Sequence, residues 1–378
     1  MRCFLVTATV TDEICLAERH GAGNEFLTLD HIPGTAWWGS MALLTGVVRG
    51  VPPDDQFGND LFRQVFHSGD IIFTNLYPSS GGQRGLPVPL TARTLKSAPG
   101  FREPATPFRV GHGADEKTLS YPGVKDWLWE GPASFDDGDW QPVPGYYVNA
   151  PPYCEALTVK TVLRGHNDSQ GPSGTSRPGR VFTRQNLLRG QQFLGLLRAA
   201  NVKGEADLDK FVTWHLPDLR VRCGIGRHPG FVRLEFEELD EAPPWQPEVP
   251  AGSLEIVTVT LLADAILVDE WLRPLRDLPS RSVAEELGLA ADAVSKVSGF
   301  ARQSSVSGWN GAHNRPREAE WVLAAGSAFF YELRWPQGVP PAERARLLND
   351  WQRRGLGLRR SEGFGEMRLN DPFHEEYA

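Results

Sequence analysis

The chain has 378 residues and a formal net charge of -8 at pH 7, and 40% of its residues are hydrophobic. Since domains commonly contain about 150 residues, this length predicts two or three modules, of which two is our starting hypothesis. No apolar run approaches the roughly 20 residues of a membrane span, so we expect a soluble, cytoplasmic protein without membrane contact. The four cysteines are widely separated and lack zinc-ligand spacing, which predicts reduced thiols and neither a metal site nor a cofactor.

The first part of the chain predicts a strand, a helix and another strand. Residues 3–10 alternate apolar and polar side chains, as a half-buried strand does. Thr35 follows a Pro-Gly break and is a candidate cap for an amphipathic helix that stops at Gly50. Residues 69–78 then form an apolar run ended by proline, which predicts a buried strand.

The middle of the chain predicts an insertion followed by strands and a helix. Residues 79–152 are rich in Pro and Gly and lack periodicity, so we predict a long, partly ordered insertion in the first domain. Gly190 and Gly195 weaken a helix over residues 180–199, which favours two short strands there. Residues 205–216 have a helical pattern.

The acidic, Pro-rich residues 235–252 predict the domain boundary, because charge, proline and loss of pattern coincide there. A second strand-helix series follows. Ser282 and Glu285 have the spacing of a capping box, which predicts a helix start. Residues 326–335 predict a strand, and residues 340–355 predict a helix with a glycine cap.

Positive charge is concentrated in three segments, although the total charge is negative. The first two segments contain no acid between their bounding carboxylates, which predicts one basic face on an acidic body. The cations are Arg177, Arg180, Arg184, Arg189, Arg198 and Lys203 in the first segment, Arg220, Arg222, Arg227 and Arg233 in the second, and Arg353, Arg354, Arg359 and Arg360 in the third.

The pattern Arg-x-x-Gly-Phe occurs twice, at residues 227–231 and 360–364, and each time a strand-like Arg-Leu pair follows. This repetition supports a duplicated fold. Glycine allows a ligand to approach the backbone closely, and neighbouring arginines can bind phosphate. The alternative is a tight turn with solvated arginines, and residue chemistry leaves both interpretations open.

Three segments resemble the repeat-associated RAMP superfamily of CRISPR systems. They are "LDHIPGTAWWGSMA", the basic "RVFTRQNLLRGQQFLGLL" and the Gly-rich "RRSEGFGEM". More specifically, "IIFTNLYP", "LPVPLTARTLKSAPGF" and "HNRPREAEWVLAAGSAFFYEL" resemble the type III-D effector subunit called Csx-ten, of the handle-binding Cas-five group.

The resemblance implies an α+β fold with two ferredoxin-like (RRM-like) RAMP domains in tandem. These are residues 1–240, with the insertion at about 79–152, and residues 250–378, with the Gly-rich loop. It also implies a non-catalytic, RNA-binding subunit of a type III effector complex in antiviral defence. Such a subunit holds the 5′ repeat-derived handle of the CRISPR RNA and contacts the large polymerase/cyclase-like subunit and the RAMP backbone subunits.

The RNA contacts implied by the resemblance lie in the first loop, the basic strand pair and the two Gly-Phe loops. They are Pro33, Gly34, Thr35, Trp38 and Gly39, then Arg180, Arg184 and Arg189, then Arg227, His228 and Gly230, and finally Arg359, Arg360, Gly363 and Gly365. The alternatives are a helix cap with a packing glycine for the first group and a solvated basic loop for the second. Trp37 lies on the apolar stripe, which favours core packing.

Two other functions remain open at this point. A RAMP-type endoribonuclease that processes CRISPR precursor RNA requires a general base, for which His20 is the first candidate and His31 the second. A β-rich module that binds sugar or protein accounts for the twelve tryptophans but not for the acid-free basic segments.

Overall fold

The computed structural model describes residues 2–17, 25–49, 60–95, 98–102, 108–109, 118–119, 140–150, 153–170, 175–214, 219–224, 230–240, 256–310, 315–371 and 373–374. The architecture is mixed α and β, with mostly antiparallel sheets. None of the helices in these ranges is long and apolar enough to cross a membrane. The helices are α1 (Gly34–Arg49), α2 (Asp60–Phe66), α3 (Val202–Trp214), α4 (Ser280–Leu287) and α5 (Pro341–Arg354).

The strands fall into a larger group before residue 240 and a smaller one after residue 255. The first group is β1 (Cys3–Val10), β2 (Glu25–Phe26), β3 (Ile71–Phe73), β4 (Tyr77–Ser80), β5 (Gln83–Arg84), β6 (Leu86–Pro87), β7 (Arg93–Leu95), β8 (Ala98–Arg102), β9 (Phe108–Arg109), β10 (Thr118–Leu119), β11 (Trp140–Pro142), β12 (Tyr146–Ala150), β13 (Tyr153–Leu157), β14 (Thr161–Gln170), β15 (Thr175–Leu187), β16 (Gln192–Ala199), β17 (Leu219–Cys223) and β18 (Gly230–Glu238). The second group is β19 (Ile256–Leu261), β20 (Val294–Phe300), β21 (Gln303–Asn310), β22 (Arg315–Leu323), β23 (Ala328–Leu333) and β24 (Met367–Leu369).

The first large sheet has the order β17-β18-β1-β16-β4-β5, and β3 also pairs with β16. Its central strand β1 alternates half-buried and buried residues, because Phe4, Val6, Ala8 and Val10 all point into one core. Helix α1 lies against β3 and β17, and α3 lies against β16. The predicted alternation of residues 3–10 is therefore confirmed as a half-buried strand.

The second sheet has the order β20-β23-β19-β24. In chain order its elements are strand, helix, strand, strand, helix, strand, with the β21–β22 hairpin between the middle two strands. Its own core is filled by large side chains such as Trp351, Tyr331 and Met367. The predicted boundary at 235–252 begins inside β18, and its remaining residues, from 241 onward, lie outside the described residues.

Strands β14 and β15 form a long hairpin beside the first sheet. They pair antiparallel, beginning where Thr161 lies opposite Leu187, and the short β2 pairs parallel with β15. Strands β15 and β16 confirm the two strands predicted over residues 180–199.

Two predicted helix starts are wrong. Helix α1 begins at Gly34, so Thr35 lies in its first turn, and the side-chain Oδ1 of Asn75 accepts the Gly34 N–H at 2.7 Å. Helix α4 begins at Ser280 after Pro279 and has no side-chain cap, while Glu285 accepts a hydrogen bond from Arg281 at 2.8 Å. In both cases a proline sets the start, since its fixed φ suits the residue that precedes or opens a helix.

The described part of the predicted insertion packs onto the second module. Leu86, Val88 and Tyr147 share one apolar cluster with Leu262 and Phe373. The close approach explains the glycine at 326, where a Cβ atom would lie 2.6 Å from the Val88 carbonyl oxygen.

Candidate nucleic-acid interface

The N-terminus of α1 packs directly against the Gly-rich loop, which we define as residues 355–366. A Cβ atom on Gly34 would lie 2.3 Å from the Phe73 carbonyl oxygen, 2.5 Å from that of Glu362 and 2.7 Å from the Gly363 Cα. Such distances admit only glycine, because any side chain would overlap backbone. The structure thus brings together Gly34 and Gly363, which the sequence placed in separate contact loops.

Arg359 is balanced by acids of the same chain. Its Nη2 lies 2.8 Å from Glu362 Oε2, and its Nη1 also contacts Glu320. Arg317 reaches the same Glu362 oxygen at 2.8 Å. Burial raises the pKa of Glu362, but the two arginines outweigh it and hold that pKa below its ordinary value. The Arg359 guanidinium carbon also lies 4.7 Å from the centre of the Phe364 ring.

The other two predicted residues of the Gly-rich loop differ from Arg359. Arg360 is partly exposed at the start of a 3-10 turn, and no ion pair joins it to any other residue that the structure describes. At Gly365, a Cβ atom would lie 1.8 Å from the Leu356 carbonyl oxygen, so this glycine lets the loop pack against itself.

A basic and aromatic surface lies on one side of the β14–β15 hairpin. Arg164 is opposite Arg184 and His166 is opposite Phe182, and residues two apart share a face of a strand. Phe26 of β2 lies beside Arg184. We call these five residues the hairpin face.

The rings and guanidinium groups of the hairpin face are in contact. The His166 and Phe182 rings stack with centres 5.2 Å apart and planes 13° apart. The Arg184 guanidinium carbon lies 5.0 Å from the centre of the Phe182 ring and 5.8 Å from that of Phe26. Such cation–π contacts hold an arginine in place without neutralising its charge.

The polar groups of the hairpin face differ in whether they have hydrogen-bond partners. Arg164 is paired with Glu13, whose Oε2 accepts from Nε at 2.9 Å, and this hydrogen bond lowers the pKa of Glu13. Arg184 Nε and His166 Nε2 are buried, yet they have no hydrogen-bond partner among the described residues. A buried donor without a partner is costly, so Arg184 keeps both its charge and hydrogen-bonding capacity that no described residue satisfies.

The first Gly-Phe segment reaches the same region. Gly230 opens β18, and a Cβ atom there would lie 2.6 Å from the carbonyl oxygen of Glu13. The guanidinium carbons of Arg220 and Arg222 lie 5.0 Å and 5.6 Å from the centre of the Phe231 ring. Two predicted contacts, Arg227 and His228, lie outside the described residues.

Helix α1 contacts both β17, which pairs with the first Gly-Phe segment, and the Gly-rich loop. Its Ser40 hydroxyl donates to the Arg222 carbonyl oxygen at 2.5 Å, while its first residue, Gly34, contacts the Gly-rich loop. Six residues of helix span about 9 Å. The residues just after β1, Asp12 to Glu13, join the hairpin face to Arg220, which lies 3.6 Å from Asp12 Oδ2.

The two tryptophans of α1 differ in burial: Trp37 lies in the core, whereas Trp38 is partly buried against it. Trp37 is fully buried and donates its Nε1–H to the Thr74 carbonyl oxygen at 2.9 Å, which confirms core packing. The ring of Trp38 packs edge to face on Phe66 with centres 5.8 Å apart. A Cβ atom on Gly39 would meet no atom within 4 Å, so no close contact requires glycine there.

The remaining predicted site residues lie at separate positions in the structure. Pro33 immediately precedes α1, and its carbonyl oxygen accepts the Ala36 N–H at 2.9 Å. Arg189 is exposed in the turn between β15 and β16, and Arg180 belongs to β15, although its side chain is not described. Sequence reasoning missed His166, Phe182, Phe26 and Arg164, which only the strand register brings together.

Of the two candidate general bases, the structure describes only His31. His20 lies outside the described residues, and His31 Nδ1 lies 3.1 Å from both Asp30 Oδ1 and the Tyr146 hydroxyl. Burial opposes ionisation of Asp30, but its hydrogen bonds with His31 and Tyr146 leave its pKa lowered. Within the described ranges, no three His, Cys, Asp or Glu side chains come together as metal ligands.

Comparison with known families identifies the class of protein. A family model described as "CRISPR-associated protein (Cas_Cmr3)" matches residues 172–367, just over half of the chain. The chain is therefore a CRISPR-associated protein. It belongs to the Cas_Cmr3 family, which confirms the expected type III, RAMP-like kind of subunit. No curated protein sequence matches the chain.

Several solved structures are similar at low identity. A chain in the cryo-EM structure of the type III-B Cmr-beta bound to cognate target RNA and AMPPnP has 10% identity, a TM-score of 0.42 and coverage of 86% of both chains. A Cas6 product complex has 11% identity and a TM-score of 0.39, covering 98% of this chain and 100% of that chain. Oligomeric Cmr4 from Pyrococcus furiosus has 11% identity and a TM-score of 0.29, covering 64% of this chain and 100% of that chain.

Proposed function

We propose that this chain is a non-catalytic, RNA-binding subunit of a type III effector complex, of the III-D kind. In this role it holds the 5′ repeat-derived handle of the CRISPR RNA. It also bridges the large polymerase/cyclase-like subunit and the RAMP backbone subunits. The observation that carries the proposal is the hairpin face, where aromatic rings surround a cation with an unpartnered, buried donor.

The strand orders support two ferredoxin-like modules in tandem, residues 1–240 and 250–378. In the second sheet, the four strands number 4-1-3-2 across the sheet when counted along the chain, with helices after the first and third. In the first sheet, β18, β1, β16 and β3 have the same order and the same helix placement. The split βαβ arrangement of ferredoxin-like folds has this strand order and helix placement, which supports the proposal.

The chemistry of the hairpin face suits single-stranded RNA. Unpaired bases stack on aromatic rings, and each stacked base contributes about 1–3 kcal/mol. The His166–Phe182 pair offers such rings, and Arg184 beside it supplies a fixed positive charge for a phosphate or a base edge. Glu13 neutralises Arg164, so the net charge of this face comes from Arg184.

The Gly-rich loop has a second, smaller part in this proposal. Arg359 is already paired with two acids and shapes the loop, whereas Arg360 is the cation that remains for RNA. Because Asn75 accepts the first N–H of α1, that helix end binds a phosphate only through its later N–H groups.

Binding of single-stranded repeat-handle RNA, followed by fluorescence anisotropy, tests the proposal. We expect Phe182→Ala and Arg184→Gln each to weaken binding about 5- to 100-fold, and Arg184→Gln to reduce the salt slope by about 0.7. The matched control is Arg281→Gln, which removes an exposed cation of α4. Equal affinities for all three variants and the wild-type chain reject the proposal.

The same reactions, run without metal, also test the endoribonuclease alternative. Our proposal expects bound RNA of unchanged length. A discrete product that His20→Ala abolishes assigns the chain to RNA processing instead.

A further inference from the structure

A short turn in the second module presents two large apolar side chains to solvent. Trp271 and Leu272 are 72% and 75% exposed. They lie in the turn of residues 269–273, which is closed by a β-bridge between Val268 and Pro274. We call residues 269–273 the tip. Single exposed apolar residues are ordinary, but two adjacent ones of this size form a compact apolar knob.

The tip is held rigidly by one carboxylate. Asp269 Oδ1 accepts the N–H groups of Trp271 and Arg273, each at 2.9 Å, and Oδ2 accepts from Arg273 Nε at 2.7 Å. The Leu272 N–H also donates to the Asp269 carbonyl oxygen at 2.9 Å. A turn fixed in this way loses little conformational entropy when its side chains are buried by a partner.

Leu272 in the tip has a backbone conformation that leucine rarely adopts. Leu272 has φ of +60°, in the left-handed region where glycine or asparagine is usual. A glycine makes the same turn without strain, so the leucine side chain is not required by the turn. Since this side chain is mostly exposed, the protein's own packing does not use it either.

We propose that Trp271 and Leu272 anchor this chain in an apolar pocket of another protein subunit. The inference rests on the proposed function as an assembly subunit. The charge of the tip favours protein over RNA: Arg273 balances Asp269, and the exposed Glu270 leaves a net negative charge that repels phosphate. Leucine also has no ring on which a base can stack. The complementary pocket is apolar, with a basic group at its rim facing Glu270.

Site-specific cross-linking tests which molecule covers the tip. Trp271 is replaced by the photo-reactive p-benzoylphenylalanine in the full chain. The chain is then assembled with the co-expressed large polymerase/cyclase-like subunit, the RAMP backbone subunits and CRISPR RNA. We expect a cross-link to one of those protein subunits, and none from the same replacement at Val202, which is 76% exposed in the first module. Cross-linking to RNA or to a second copy of this chain, or no cross-link, overturns the inference.

Two substitutions measure the contribution of each side chain. Trp271→Ala should weaken binding to the cross-linked subunit about 30-fold or more, as truncation of an interface hot spot does. Leu272→Gly should weaken the same binding while the melting temperature of the isolated chain stays the same or rises, because the backbone strain is removed. Unchanged binding in both variants overturns the inference.

Failure here is distinguishable from failure of the proposed function. RNA affinity of the isolated chain should be the same for Trp271→Ala and wild type, whereas the hairpin-face variants should lose it. If the hairpin-face variants behave as expected and the tip does not cross-link to a subunit, only the docking inference is wrong. If those variants bind RNA like wild type, the proposed function is wrong whatever the tip contacts.

Discussion

Arg84 and Glu366 form a two-pronged ion pair between the two sheets, with Nη1–Oε1 at 2.7 Å and Nη2–Oε2 at 2.8 Å. Their side chains are 0% and 1% exposed. Arg84 belongs to β5 of the first sheet, and Glu366 ends the Gly-rich loop just before β24. The remaining Arg84 donors reach the carbonyl oxygens of Leu194 and Asn75 at 3.1 Å and 2.7 Å. The pair therefore connects the modules at a point where each guanidinium nitrogen has a partner.

Breaking this pair should be costly to the folded protein. We expect Glu366→Gln or Arg84→Met to lower the free energy of unfolding by about 3–5 kcal/mol, because each removes one side of a buried ion pair while the other charge stays buried. The double variant Arg84→Met/Glu366→Leu should lower the free energy of unfolding by much less than the sum of the two single-variant effects. Urea unfolding measures all three, with Arg281→Gln as an exposed-pair control expected to cost about 0.5 kcal/mol. Single variants that match the control contradict the buried pairing.

The contact between α1 and the Gly-rich loop predicts opposite effects of two identical substitutions. Gly34→Ala places a Cβ atom against two carbonyl oxygens and should destabilise the protein by about 1–3 kcal/mol. Gly39→Ala, on the same helix, meets no atom within 4 Å and should stabilise it by about 0.5–1 kcal/mol. Thermal unfolding compares the two. Equal tolerance of both alanines means that the two backbones are not in contact.

Glu362 predicts a pH dependence of stability. Its folded-state pKa lies below the ordinary value of 4.5, because Arg359 and Arg317 together outweigh burial. A depressed pKa stabilises the fold above the unfolded-state pKa, and this stabilisation is lost as pH falls through the folded-state value. Glu362→Gln should therefore cost about 1–3 kcal/mol at pH 7, and progressively less below about pH 4.5.

Urea unfolding of Glu362→Gln and wild type across pH 3 to 7 measures that difference. Glu285→Gln on exposed α4 is the matched control, with a small cost expected throughout. A cost that stays constant down to pH 3 shows that the carboxylate of Glu362 is not the stabilising group.

Local patterns predicted most elements but not the contacts between them. The strand over residues 3–10 and the helix over residues 340–355 could be predicted from the sequence pattern, because one face of each element is buried in its own module. Arg84 was not recognised as a buried group, since it lies in a Pro- and Gly-rich stretch without periodicity. Its burial depends on the approach of Glu366 from the other module, which no local spacing encodes.

The candidate site was predictable only in part for the same reason. The acid-free segment indicated Arg184, yet its ring neighbours Phe182 and Phe26 are defined by strand pairing, and Phe26 comes from a distant strand. Arg359 was recognised as a cation, but its partner Glu320 lies on β22 and was not associated with it. The sequence identifies which side chains are charged, whereas the fold determines whether a charged side chain has a partner of opposite charge.

This difference in balance predicts that Arg184 and Arg359 have separable roles. Arg184→Gln should weaken RNA binding about 5- to 100-fold with little change in unfolding free energy, because no carboxylate pairs with Arg184 among the described residues. Arg359→Gln should lower the unfolding free energy by about 1–3 kcal/mol, since Glu320 and Glu362 then lose their partner, and should change RNA affinity less. Anisotropy and urea unfolding on the same preparations give both quantities. The reverse result, in which Arg359→Gln releases RNA and leaves stability intact, would mean that RNA displaces the acids from Arg359 and that the Gly-rich loop is the principal contact.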